Sequence, residues 1–425
     1  MGRPCGKLYF LLLKVAYSMN PIIIIGAGLA AWTTVREFRK LDSTTPIMMI
    51  TADSGDFYAK PTLSNAFAQK KTPEQLVVTP AAKMVEVQGV TLLAHTQVLS
   101  FDPYVKTVTT SKGSHDFSAL VLATGAAPIR IPVEGDAADQ VLSVNSLEDF
   151  AIFHEALKND ASRREISFTS YENSSKKSSK VLIMGAGLIG CEFANDLVNA
   201  GYAVSVVDPS ARPLAALLPE LASEQLRVSL SNLGVDWHFG TTVQAVNKAT
   251  KPDATSIFQV TLANGEVLAA DVVLSAVGLR ADTRLALAAG LTCERGIKVD
   301  AALQTNAPHI YALGDAVQYA SAGNVTLPFV MPIMNAARAL ALTLTGKRTE
   351  VVFPIMPVAV KTPALPLLIA SPGMGAPGAW QEVEPGLWQH VGETGRLQGF
   401  ILAGSQTARR AEQVKVLQSA GLAAV

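Results

Sequence analysis

Apolar positions along the chain fall into two similar series. Residues 22–33 read IIIIGAGLAAWT and residues 181–192 read VLIMGAGLIGCE. Each is an unbroken apolar run of strand length, then a glycine loop, then the start of a helix. Four consecutive isoleucines leave no polar face, as expected of a parallel strand covered on both sides. A helix pattern follows the first loop (WTTVREFRKL), and each series then returns to a second apolar strand, PIMMITAD and YAVSVVD. Each next turns antiparallel, with tight turns predicted at Lys112-Gly113 and Asn264-Gly265. They close on ALVLATGAAP and ADVVLSAVGLRAD. A whole domain plan is therefore repeated, not one loop.

Between the two units, residues 160–180 are polar and rich in serine and lysine, and are expected to form a mobile surface insertion. Beyond the second unit, TNAPHIYALGDAVQY predicts one further strand ending at Gly314-Asp315, then a helix starting near Pro332. The remaining residues, with PVAVKTPALPLLIA, a Gly/Pro loop at 371–378 and LQGFILAG, predict a small α+β unit. The fold class is α/β: two Rossmann-like dinucleotide-binding domains and a small α+β C-terminal domain. The expected boundaries are an N-terminal extension at 1–18, a first domain at 19–143 completed by 280–345, a second at 144–279, and the C-terminal domain at 346–425.

Composition narrows the function. Of 425 residues 49% are hydrophobic and 16% charged, with 35 basic against 35 acidic, so disorder is not expected and no basic excess marks a nucleic-acid partner. Three well-separated cysteines, Cys5, Cys191 and Cys293, fit neither a disulfide framework nor a metal site, and a reducing cytoplasm is the expected setting. The most apolar long stretch, residues 325–346, is broken by Pro328, Pro332, Asn335 and Arg338, so no membrane span is expected. Residues 1–18 have a basic start and an apolar stretch interrupted by Lys14, without a small-residue cleavage site. They are expected to add nothing to the fold; a weak membrane or export signal is the alternative.

A strand–GxGxxG–helix unit has a physical purpose. Its first glycine makes the turn, its second admits a pyrophosphate to the backbone, and its third lets helix and strand pack closely. The helix N-terminus then offers free N–H groups to phosphate. The second loop is complete at Gly185, Gly187 and Gly190, and Asp208 ends the following strand where an acid bonds the ribose and disfavours a 2′-phosphate. NADH is therefore expected over NADPH. The first loop has Gly26 and Gly28, with Ala31 at the third position and Asp53 ending its second strand. Two sites suggest one tightly held flavin and one exchangeable nicotinamide.

The order GAGLAA, ATG, GAGLIG, VGLR, YALGD resembles the FAD-dependent pyridine nucleotide oxidoreductases of the glutathione-reductase fold. ITADSGDFYAKPTLSNAF, AGLIGCEFANDL, VMPIMNAARALALTLTG and MPVAVKTPALPL resemble their rubredoxin–NAD reductase branch, and the resemblance runs from Met19 onward. Ala31 and the 160–180 insertion depart from the pattern. The resemblance implies FAD contacts from Gly26, Ala27, Gly28, Leu29, Thr51, Ala52, Asp53, Lys60, Pro61, Val98, Thr124, Gly125, Asp315 and Lys361. It implies NAD contacts from Gly185, Gly187, Leu188, Ile189, Gly190, Glu192, Asp208 and Gly278. Asp315 would bond the ribityl chain, although a simple helix cap is the alternative. Glu192 would lie between nicotinamide and flavin; placed in the first helical turn, it would favour that helix end anyway. Lys361, in an otherwise apolar run, would face the flavin, and an exposed edge-strand lysine is its alternative reading. Flavin chemistry would reside in the cofactor, with Glu192 and Lys361 as tuning residues.

Absence also narrows the chemistry. Disulfide reductases of this fold carry a cysteine pair after the first loop, where this chain reads KPTLSNAF, with Ser64 and no cysteine. Electrons must then leave FAD directly for an external carrier. The resemblance makes that carrier rubredoxin, feeding an alkane hydroxylase in turn, and Lys60, Lys70 and Lys71 are a candidate positive patch for it. A reductase for a ferredoxin in an oxygenase system, a membrane-peripheral quinone reductase and a non-catalytic flavin/NAD sensor are the rivals.

Overall fold

The computed structural model describes residues 20–167, 178–249, 256–373 and 375–420, with backbone alone for 160–167. The expected extension at 1–18 lies outside the described residues, as do residues 168–177 of the expected insertion. Its first residues are not loop: they end a long helix, Leu147–Ser167.

The first sheet is five-stranded and parallel, in the order Ile310–Ala312, Ala119–Leu122, Ile22–Ile25, Ile47–Ile50, Thr91–Leu93. The four isoleucines sit at its centre, each at most 5% exposed. At about 1.5–3 kcal/mol per fully buried large aliphatic side chain, this strand alone supplies a substantial share of the local driving force. The strand from YALGD joins the edge beside Ala119–Leu122, so the sheet draws on both halves of the chain. Helix α1 (Leu29–Arg39) follows the central strand and turns Ala30, Ala31, Trp32, Val35 and Phe38 inward.

The second sheet repeats the plan with four parallel strands, in the order Val235–Phe239, Ala203–Asp208, Lys180–Met184, Val272–Ser275. In the chain, helix α2 (Leu147–Ser167) precedes this sheet and helix α3 (Leu188–Asn199) follows its first strand. Helix α4 (Val330–Leu344) begins two residues before Pro332, which sits in its first turn, where a missing N–H costs least. It lies against α1, and small residues at Ala30 and Ala31, and at Ala336 and Ala337, are buried on the two helices. Both predicted tight turns close hairpins, with Gly113 at φ +126 and Gly265 at φ +88.

The two repeats are physically joined by their own closing segments. Ala126–Pro128 pairs antiparallel with Leu279–Ala281, forming a two-stranded ribbon. Beside it the Thr124 hydroxyl donates to the Asp282 carbonyl at 3.0 Å, and the Asp282 N–H donates to Gly125 O at 3.0 Å. The C-terminal unit is a five-stranded antiparallel sheet, ordered Val358–Val360, Leu367–Ala370, Leu397–Ala403, Leu387–Val391, Ala379–Glu384, with a helix at Arg410–Ser419. One of its faces joins the core of the second unit, where Trp388 and Ile401 cluster with Leu197 of α3 and Leu226 of the helix Glu220–Leu233.

Candidate functional sites at the two glycine loops

In both parallel sheets the strand before the glycine loop lies between the next parallel strand of its own unit (Ile47–Ile50; Ala203–Asp208) and one that returns much later (Ala119–Leu122; Val272–Ser275), so strand order reverses there. Each glycine loop therefore emerges at the crevice where open α/β sheets hold ligands. In the first loop Gly26 adopts φ +114, and any Cβ there would collide with the Ala123 carbonyl oxygen. In the second, Gly185 adopts φ +105, and a Cβ would lie 2.7 Å from the Ala276 oxygen. Gly28 and Gly187 face open space, leaving room for a ligand to approach the backbone. Neither α1 nor α3 has a side-chain cap or an acid in its first turn, so both helix ends keep free N–H groups and a positive dipole end. Leu29, Leu188 and Ile189 open those helices, and Ala27 is buried in the first loop.

Around the first loop, Thr51 is buried and donates its hydroxyl to Asp53 Oδ1 at 2.6 Å, while the Gly55 N–H donates to the same oxygen at 3.0 Å. Ala52 lies between them, exposed. Asp315 follows the strand Ile310–Ala312, and its Oδ1 is buried without a hydrogen-bond partner. Burial pushes its carboxyl above the usual range, and the positive charge of Lys60 opposes that rise. A buried carboxylate oxygen without a partner is costly in an empty fold and is free to accept from a hydroxyl-bearing ligand. Together with the open Gly28 and the uncapped α1, this donor and acceptor set fits a flavin dinucleotide. Val98 is half-buried at the start of the strand Val98–Asp102 and packs against the first core. Gly125 adopts φ +69 with open space beside it.

Lys60 departs from the positive patch expected of it. Its Nζ donates to Asn145 Oδ1 at 3.0 Å, and burial pushes its pKa down while Asp315, Asp149 and Asp53 pull it up. Asn145 in turn donates to the Ala126 carbonyl at 2.8 Å. Lys70 and Lys71 line a different, small polar cleft with His154 and Tyr202. Lys60 is drawn inward because acids converge around it. Asn145, in the crossing between domains, was not singled out from the sequence; no motif marks it.

In the second groove, Asp208 accepts the Ala186 N–H at one carboxylate oxygen and the Ser210 N–H at the other, both at 2.7 Å. The acid thus braces the glycine loop. Gly190 is the tightest glycine: a Cβ would lie 3.0 Å from the Gly185 carbonyl carbon and closer still to its oxygen. Gly278 (φ +112) accepts the Ile129 N–H at 3.0 Å, holding the ribbon.

Glu192 stands one turn further into the helix than the sequence suggested, since α3 begins at Leu188. At 3% exposure its carboxylate is not a simple end-of-helix charge. Oε1 accepts the Lys361 backbone N–H at 2.9 Å, and Oε2 accepts both the Ser64 hydroxyl at 2.6 Å and the Lys361 ammonium. Lys361 Nζ also donates to Ser64 Oγ at 2.8 Å and to the Pro61 carbonyl at 2.6 Å. The structure therefore brings Pro61, Glu192 and Lys361 together and adds Ser64. One turn on, Asn195 accepts the Ala364 N–H, and Asp196 accepts the Phe67 and Ala68 N–H groups. Cys191, on the same helix, is fully buried, and burial pushes its thiol far above the range in which a thiolate forms.

The model of the pyridine nucleotide-disulphide oxidoreductase family matches residues 20–340, and that of the rubredoxin binding C-terminal domain matches residues 350–417. The chain is 43% identical to a rubredoxin-NAD(+) reductase of Alcanivorax borkumensis, over 94% of this chain and 99% of that protein. It is 38% identical to a nitric oxide reductase FlRd-NAD(+) reductase of Aeromonas salmonicida, over 91% and 93%. Among solved structures, the fold is similar to that in a covalent putidaredoxin reductase–putidaredoxin complex. The TM-score is 0.80 at 23% identity, covering 94% of this chain and 93% of that one.

Proposed function

Because the chain belongs to the pyridine nucleotide-disulphide oxidoreductase family, we propose that it takes electrons from NADH through FAD and delivers them singly to rubredoxin. FAD supplies the chemistry that turns a two-electron donor into a one-electron source. The chain's own residues bind, orient and insulate. The free N–H groups of α1, with Gly26 and Gly28, hold the flavin pyrophosphate, and Asp315 takes a ribityl hydroxyl with its unpartnered oxygen. Lys60 is held beside it by Asn145. The free N–H groups of α3, with Gly185 and Gly187, hold the nicotinamide nucleotide, and Asp208 faces its ribose and repels a 2′-phosphate. Glu192 and Lys361 lie at the meeting point of the three units and tune the field there.

The observation that carries this reading is the pair of uncapped glycine-loop helices, joined by one ribbon, with no cysteine in the segment 60–68. Electrons have no thiol to pass through. The domains we infer are 19–143 with 280–345 for FAD, 144–279 for NAD, and 346–425 for the carrier. A reducing cytoplasm and an alkane-hydroxylating system downstream are the proposed setting. Among the described residues no helix is long and apolar enough to cross a membrane.

Anaerobic stopped-flow tests the reading. NADH should bleach the flavin quickly, and oxidised rubredoxin should restore its colour faster than a [2Fe–2S] ferredoxin does. Faster recovery with ferredoxin would replace the acceptor. No bleaching would leave a non-catalytic flavin-binding protein.

A further inference from the structure

Ser64 lies in the short 3-10 helix Lys60–Asn65, which starts at the Lys60-Pro61 pair. Its side chain is 3% exposed, in a position the sequence marked only by its lack of a cysteine. It meets Glu192 and Lys361, which are 128 and 297 residues away in the chain. Every side-chain donor there is used. The Lys361 ammonium has three donors, and they go to Pro61 O, Ser64 Oγ and Glu192 Oε2. The single Ser64 proton goes to Glu192 Oε2, the closest acceptor at 2.6 Å, leaving its lone pairs for Lys361. Both Glu192 oxygens are occupied.

Such a closed ring has a consequence. Glu192 and Lys361 on their own are a buried carboxylate and a flexible four-carbon ammonium, free to choose among geometries. A hydroxyl that donates to one and accepts from the other removes that choice. The three residues come from three different parts of the fold: the segment after the first sheet's second strand, the nucleotide helix α3, and the first strand–turn of the C-terminal unit. We propose that Ser64 is a positioning residue for electron entry: its hydroxyl fixes the Lys361 ammonium and the Glu192 carboxylate relative to one another, at the junction of the two cofactor grooves. The inference rests on the assignment of FAD and NADH to those grooves.

Removing the hydroxyl leaves the ammonium held by Glu192 and the Pro61 carbonyl, with one donor unpaired. Its field then falls more on the carboxylate and less on the cofactor groove. Hydrogen bonds to charged groups are worth enough that a tenfold or larger effect, roughly, is expected. The experiment compares wild type, Ser64→Ala and Ser64→Thr as purified holoproteins. We expect Ser64→Ala to keep its FAD, to bind NADH within about twofold of wild type, and to be reduced about tenfold more slowly at saturating NADH. Its flavin midpoint potential should fall, and Ser64→Thr, which keeps the hydroxyl, should restore both rate and potential. A double-mutant cycle with Glu192→Gln on urea midpoints of the FAD-free protein should show Ser64 and Glu192 to be coupled.

Wild-type rate and potential in Ser64→Ala, or no coupling in the cycle, would overturn the inference. So would equal loss in the alanine and threonine variants, which would make the site a packing position. If wild type itself is not reduced by NADH, the proposed function falls instead, and the cycle on the FAD-free protein still judges the ring.

Discussion

Gly190→Ala isolates the third glycine of the second loop, to which we assign the nicotinamide nucleotide. Its Cβ would be built 3.0 Å from the Gly185 carbonyl carbon and inside the contact distance of that carbonyl's oxygen, with the Ala276 methyl at 3.7 Å behind it. The opposing group is backbone, and it belongs to the loop that must grip pyrophosphate, so no side-chain rotation relieves the clash. Helix α3 has to back away by something like 1 Å, and overpacking of this kind costs about 1–3 kcal/mol. Because that displacement moves the free N–H groups themselves, the cost falls on nucleotide binding: NADH affinity should drop roughly tenfold to a hundredfold. The first loop is the internal control. Ala31 stands at the corresponding position with 0% exposure, so that helix is already spaced for a methyl group, and Ala31→Gly should cost no more than about 1 kcal/mol of helix stability. The assay is calorimetric titration of the holoprotein with NADH, with flavin content measured in parallel. Gly190→Ala binding NADH as tightly as wild type, with normal flavin content, would refute the steric argument.

Three further outcomes follow from the same geometry. Asp208→Ala removes the acceptor for the Ala186 and Ser210 N–H groups and the charge facing the ribose. The NADH KM should rise about tenfold and the preference for NADH over NADPH should shrink; an unchanged preference ratio would remove Asp208 as its source. Asp315→Asn should purify with less FAD. In the FAD-free protein, burial holds the Asp315 pKa above 3.8, so the fold binds its proton more tightly than the unfolded chain does. That contribution to stability is full below 3.8 and lost as pH rises through the folded value, so the asparagine variant should lose less thermal stability than wild type across that window. Asp196→Ala strands the Phe67 and Ala68 N–H groups and should cost about 1–3 kcal/mol by urea denaturation. Asp196→Asn, which keeps one carbonyl acceptor, should cost less.

The parallel sheets, both glycine loops, the two hairpins and the C-terminal α+β unit were legible because their signals are local. Four isoleucines, a GAG triplet or an Asn-Gly pair carry their meaning within a dozen residues. The edges of elements were less so: α4 begins at Val330, two residues before the proline expected near its start, because proline is tolerated in the first turn. The polar stretch after residue 160 begins as helix, since the preceding pattern propagates into it before its composition takes over. Lys60 is expected both at the flavin and in a positive patch, and its neighbours in sequence do not decide between an inward and an outward lysine. The acids that draw it inward, Asp149 and Asp315, are far away along the chain.

Helix α3 explains why the rest was hidden. A nucleotide-domain helix needs an apolar face toward its own sheet, and Cys191, Ala194 and Leu197 provide one. Its buried residues also include Glu192, Asn195 and Asp196, which recur at the three- and four-residue spacing of one helix face. From sequence alone such a row reads as a solvated face. Here it is consumed by backbone and side-chain groups at 64–68 and 361–364, so the helix that starts at the nicotinamide loop is docked on the flavin and C-terminal units through hydrogen bonds. Apolar packing would tolerate sliding; directional bonds to a carboxylate, an amide and a second carboxylate fix the helix in rotation as well as in distance. That is what electron transfer between two bound cofactors requires of the protein between them, and it is why the polar face of α3, rather than either loop alone, makes the repeated domains into one machine.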